Sequence, residues 1–185
     1  MTHVDEHKEP GRATEGVVCP PGGGKTIRFS PGSQLEYKAL GEETNGAYAL
    51  LEGTVPPGNS RIEPHVHHNE EEAFYVLEGE ALLQMGTRSV RATAGTFVLI
   101  PRGVVHSHRN VGTGPLRWLM LFSPPQMAHY FEERTALVQS LPTPTGPVDY
   151  AGLDKQRHAA LARKYHMEFV EDPSAQEEAS PEVGT

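Results

Sequence analysis

A chain of 185 residues with 37% hydrophobic content holds enough apolar material for one domain core and leaves little room for two. Its apolar runs, such as 97–100 and 118–122, are far short of the ~20 residues a membrane-spanning helix needs, and the polar, acidic N-terminal stretch is unlike a secretory signal. With 16 basic and 24 acidic residues the net charge is −8, which argues against nucleic acid or an anionic membrane as partner. The one cysteine, Cys19, allows neither an internal disulfide nor a cysteine-based zinc site, so a reducing cytoplasm is the expected setting.

Taken in chain order, residues 1–24 form a polar N-terminal segment. Pro21 and the glycines that follow it lead to Lys25 and Thr26, but Cys19 occupies the leading glycine position of a phosphate-binding loop, so this stretch reads as a plain loop. From 25 to 122, short runs at 26–29, 34–40, 47–55, 73–77, 81–85, 89–92, 96–100, 104–110 and 116–122 are separated by Gly, Pro, Asn and Asp. Strand after strand without an intervening helical pattern predicts an all-β antiparallel barrel or sandwich. Phe74 and Val76 share the face of Glu72, while Tyr75 and Leu77 point the other way. In the last strand either Trp118, Met120 and Phe122 or the alternate set faces inward.

Beyond the strands, Ser123-Pro-Pro-Gln126 reads as a helix start with Ser123 as cap. Met127, Tyr130, Phe131, Leu137, Val138 and Leu141 then fall on one helical face, and Pro142, Pro144 and Pro147 end it. A second helix is predicted over 154–165, and both helices are expected to pack outside the barrel, making 123–170 a helical extension. Residues 171–185 carry five acids and no base and read as a solubilising tail.

The chemistry concentrates in two segments. Residues two apart on a strand share a face, so His65 and His67 can both turn inward and offer imidazole nitrogens to one metal. Glu72 follows after a four-residue loop and can add a carboxylate, and His106, on a later strand, can close the site from the opposite side. Three imidazoles and a carboxylate suit one divalent transition metal (Fe, Mn, Ni, Co or Zn) better than Ca or Mg. Glu70 and Glu71 read as a solvated acidic turn, a one-residue slip making Glu71 the ligand in place of Glu72. If close to Glu72, either acid raises its pKa. His68 faces outward; His108, two residues after His106, either lines the pocket as a proton carrier or sits at its rim. Arg61 either binds an anionic substrate or lies on the surface.

These two segments resemble the motifs of the cupin superfamily. The second motif, G-x5-P-x-G-x2-H-x3-N, is matched from Gly95 to Asn110, and the first, G-x5-H-x-H-x(3,4)-E-x6-G, from His65 to Gly79, with one extra residue between Gly58 and His65. The resemblance implies a jelly-roll (double-stranded β-helix) barrel with a metal at its centre. The compact chain looks most like the small quercetin 2,3-dioxygenase-like members, which implies a metal-dependent dioxygenase acting with O2 on a small oxygenated, aromatic or flavonol-like molecule. Glu72 would act as ligand and general base and His108 as a second catalytic group. The same ligands suit a non-redox isomerase, cyclase or lyase, and the fold also serves non-catalytic binding modules. Single-domain proteins of this kind imply a two-fold homodimer, for which Tyr48, Tyr75, Leu77 and the helix face around Tyr130 and Phe131 are candidate contacts.

Overall fold

The computed structural model describes residues 16–30, 32–58, 61–139 and 155–171. The expectations for residues 1–15, for Leu141, Pro142, Pro144 and Pro147, and for the tail beyond 171 lie outside the described residues. The strands are β1 (Thr26–Ser30), β2 (Ser33–Ala39), β3 (Ala49–Val55), β4 (His65–His67), β5 (Glu71–Glu78), β6 (Glu80–Met85), β7 (Arg88–Thr93), β8 (Phe97–Ile100), β9 (His106–Asn110), β10 (Leu116–Ser123) and β11 (Met167–Phe169). Helices α1 (Met127–Gln139) and α2 (Lys155–Lys164) lie between β10 and β11. No helix among the described residues is long and apolar enough to cross a membrane.

The strands form two antiparallel sheets, one in the order β1-β2-β3-β10-β5-β8 and one in the order β11-β4-β9-β6-β7. This is the jelly-roll arrangement that the run of short strands predicts. Period-two alternation sets which side chains meet between the sheets. In β10, Leu116, Trp118, Met120 and Phe122 are buried and the residues between them are partly exposed. Phe74 and Val76 of β5 are fully buried beside them, while Tyr75 and Leu77 face outward. The core continues from Leu51 and Leu83 to Met127, Ala128 and Tyr130 of α1. Each large apolar side chain removed from water in this way contributes about 1.5–3 kcal/mol.

Three motif positions are explained by contacts. Gly79 has φ of +82°, and a Cβ there would lie 2.5 Å from the carbonyl oxygen of Pro115, so only glycine fits. Asn110 donates through Nδ2 to the carbonyls of Val55 and Gly114, and its Oδ1 accepts from the Gly112 amide, all at 2.9 Å. It thereby clasps the end of β9 to β3 and to the loop before β10. The amide of Gly103 donates to the carbonyl of His67 at 2.7 Å, tying the Pro101–Gly103 turn to β4.

Three expectations need correction. Ser123 is not a helix cap: it ends β10, its Oγ donates to the carbonyl of Ala47 at 2.8 Å, and α1 begins only at Met127. Tyr130 cannot serve an interface, because it is buried and its hydroxyl lies 2.8 Å from His158 Nε2. The C-terminal extension also does more than pack outside, since β11 joins the second sheet along β4.

Candidate metal centre

The two sheets divide the work of building the site. The second sheet supplies the imidazoles: His65 and His67 from β4 and His106 from β9, with His65 directly opposite His106 in register. The first sheet supplies the carboxylate, Glu72 of β5, which lies between Phe122 and Ile100 on the neighbouring strands. Alternation turns all four inward, and their exposures are only 7, 3, 2 and 3% for His65, His67, His106 and Glu72. One ligand atom from each residue lies within 4.8 Å of the others. The sequence-predicted set is therefore brought together as a unit, and Glu72 rather than Glu71 completes it. Glu71 is partly exposed and pairs with Arg102 at 3.6 Å.

Local hydrogen bonds fix two of the rings. His65 Nδ1–H donates to the carbonyl of Glu63 at 2.8 Å, and His106 Nδ1–H donates to that of Val104 at 2.9 Å. Each acceptor sits two residues before its histidine, so both rings present Nε2 to the centre. Glu72 Oε2 lies 2.9 Å from His106 Nε2 and 3.3 Å from His67 Nε2. Burial by itself would raise the Glu72 carboxyl, but the contacts with His106 and His67 outweigh it and hold the group well below the usual carboxylate range. The imidazoles, rather than the neighbouring acids Glu70 and Glu71, set the direction. Burial pushes His65 well below the usual histidine value, helped by the nearby His106 and His67. At His106 burial acts downward too, but the Glu72 carboxylate raises the net value.

This donor set fits a divalent transition metal. Its atoms converge, two imidazoles are held in the tautomer that frees Nε2, and an ionised carboxylate offsets part of a dication's charge in a dry setting. His65, His67, Glu72 and His106 are the residues that would hold it.

His108 lines the interior rather than the rim. Its ring stands edge-on to Trp118 at 4.7 Å between centroids and to Phe74 at 5.4 Å, and this burial pushes its pKa down to about 4. Arg61 does not point at the site. Its Nε and Nη2 donate to Ser107 Oγ at 2.8 and 2.5 Å, and Ser107 alternates with His106 and His108 onto the opposite face. A cleft of about 740 Å3 opens on the outer side of the first sheet, beside Cys19, Lys38, Thr44, Tyr48, Leu50 and Leu119, away from the four ligands.

Two features escape sequence reasoning. Glu70, expected in a solvated turn, is 1% exposed. Its parity with Glu72 was the available signal, since alternation places the two on one side. The other is β11, which pairs Met167 with His67 and Phe169 with His65. No signal in three residues marks that pairing.

A two-sheet β barrel with three imidazoles and one carboxylate converging inside it defines a barrel protein equipped for transition-metal binding. Comparison with known proteins agrees on the fold. The Cupin domain family matches residues 51–122, from β3 to β10. An uncharacterised protein of Methanocaldococcus jannaschii is 31% identical over 91 residues, 49% of this chain and 69% of the relative. An uncharacterised protein of Streptomyces coelicolor is 28% identical over 95 residues, 51% of this chain and 83% of the relative. The solved structure of KdgF from Halomonas sp. shares the fold, with a TM-score of 0.53 at 18% identity over 60% of this chain and 94% of that one. The chain belongs to the cupin family. Helix α2 and strand β11 lie outside the matched segment.

Proposed function

We propose that the protein is a metal-dependent dioxygenase acting on a small oxygenated molecule, aromatic or flavonol-like. The observation that carries this reading is the buried His65–His67–Glu72–His106 set standing beside an aromatic wall of Phe74, His108 and Trp118. A divalent transition metal bound there supplies Lewis acidity and, if it is Fe, Mn, Ni or Co, a redox partner for O2. His65, His67 and His106 hold their Nε2 atoms toward the centre. Glu72, ionised and buried, accepts a proton at Oε2 from a substrate hydroxyl. Trp118 and Phe74, both buried, exclude water from the site, and His108, neutral at physiological pH, offers a ring nitrogen. The test is metal analysis of anaerobically purified protein, followed by an O2-electrode screen of catechols, flavonols and 1,3-diketones. O2 uptake that disappears on chelation and returns with one metal supports the reading. Metal-loaded protein that consumes no O2 with any of these classes overturns it.

One observation favours a second reading. The low position of the Glu72 carboxyl makes it a weak base and a good fixed ligand, which suits non-redox isomerase, cyclase or lyase chemistry. Substrate turnover without O2 consumption distinguishes the two.

The functional unit in this proposal is a two-fold homodimer. Support comes from strand β8 at the edge of its sheet and from Tyr75, Leu77, Phe97 and Leu99, exposed on the outer face beside it. Sedimentation at micromolar concentration is the test, and a monomer there defeats the dimer without touching the chemistry.

A further inference from the structure

The three imidazoles of the site are not equally supported. His65 and His106 each have a backbone carbonyl for Nδ1–H. Nδ1 of His67 is buried and makes no hydrogen bond. A neutral imidazole that binds a metal through Nε2 carries its proton on Nδ1, so this ring needs an acceptor that the backbone does not supply.

Three residues along the chain, Glu70 has the complementary problem. Its side chain is buried, and both carboxylate oxygens lack a hydrogen bond. The His67 ring and the Glu70 side chain are thus both held in the interior, one with an unpaired ring nitrogen and the other with two unpaired acceptor oxygens. A buried carboxylate with no donor is costly and is not retained for stability alone.

We infer that Glu70 is a positioning residue for His67, its carboxylate accepting the hydrogen bond of Nδ1–H when Nε2 of the same ring binds the metal. The inference rests on the metal reading above. Glu70 then orients His67 and raises the basicity of its Nε2, as the carbonyls of Glu63 and Val104 orient the other two rings. It touches neither metal nor substrate.

The roles of Glu70 in metal binding and in folding carry opposite signs, which makes the inference testable. Co(II) is titrated into chelator-stripped, full-length wild type, Glu70→Leu and Glu70→Gln, against a competing chromophoric chelator. Melting of the metal-free proteins and the visible spectrum of the Co(II) forms are recorded alongside. Glu70→Leu should bind Co(II) about 10–100-fold more weakly, with a shifted Co(II) spectrum, while its metal-free form melts as high as wild type or higher. Glu70→Gln keeps an acceptor oxygen and should recover part of the affinity. Wild-type affinity and spectrum in Glu70→Leu overturn the inference and leave the metal reading standing. A lower melting temperature in the metal-free variant, with an unshifted spectrum, also overturns it, because that is the signature of a structural role. If wild type itself binds no Co(II), the metal reading falls and this inference with it.

Discussion

Phe169 lies directly opposite His65 on adjacent antiparallel strands, with ring centroids 6.2 Å apart. The strand that carries two of the candidate ligands is thus held from both sides, unequally. Toward β9 it makes a single residue pair, His65 with His106, and toward β11 it makes three. The amide of His68 donates to the carbonyl of His166 at 2.9 Å and that of Val170 to Pro64 at 3.0 Å, extending the grip beyond β4. A segment outside the family match therefore braces the ligand strand.

This bracing predicts that a change in β11 reaches the metal site without touching a ligand. Met167, 3% exposed and opposite His67, is the residue to truncate. Met167→Ala should cost about 2–5 kcal/mol, speed exchange of the His68 amide and weaken metal binding. Hydrogen exchange and metal titration on the same sample check it. Unchanged exchange and affinity would show that β4 stands without its neighbour.

The ligand assignments separate by metal content. His106→Ala removes one donor and strands the buried Glu72 carboxylate without its 2.9 Å partner, so the metal should be lost. Glu72→Gln keeps a donor oxygen and should retain much of the metal while losing activity by about 10²–10⁴-fold. His108→Ala should keep the metal and alter turnover alone. Metal per chain and turnover number for the three variants check this pattern, and wild-type turnover in Glu72→Gln would remove Glu72 as base.

The packing of α2 should respond to acid. The His158 ring lies tilted against Phe169 with centroids 4.7 Å apart, its Nε2 lies 2.8 Å from the Tyr130 hydroxyl, and burial, with a contribution from Arg134, pushes its pKa down to about 4. The unfolded chain binds a proton near pH 6.5 and the folded chain does not until about pH 4. Stability from this group is therefore complete above about 6.5 and lost as pH falls toward 4, by about 2 kcal/mol for a half-buried ring. His158→Gln should flatten that slope relative to wild type in denaturant melts at pH 7, 5.5 and 4.

Gly53 of β3 packs directly against the Trp118 ring. A Cβ there would sit 2.5 Å from Trp118 Nε1 and 2.8 Å from its Cδ1. Trp118 is buried against Phe74, with centroids 4.6 Å apart, and has no room to withdraw. Gly53→Ala should destabilise the protein by about 1–3 kcal/mol and shift the fluorescence of the single tryptophan. The midpoint of denaturant unfolding at unchanged slope measures the cost.

The amino-acid sequence by itself determined the strand-rich fold, the inward face of β5 and the two segments that carry the candidate ligands, and left open which set of β10 turns inward and whether Glu71 or Glu72 supplies the carboxylate. The features it determined depend on contiguous backbone: alternation puts His65 and His67 on one side, and the spacing from Gly95 to Asn110 delivers His106 to the same interior. The tertiary structure alone decided the pairing of β11 with β4, the burial of Tyr130 and Glu70, the end of β10 at Ser123, and the lowered carboxyl of Glu72. Each of these depends on which distant segment arrives alongside. A three-residue strand has no pattern of its own, and a glutamate in an acidic run reads as solvated until other elements cover it. The pKa of a carboxyl follows from the imidazoles brought against it, and their distance is a property of the closed barrel rather than of the chain.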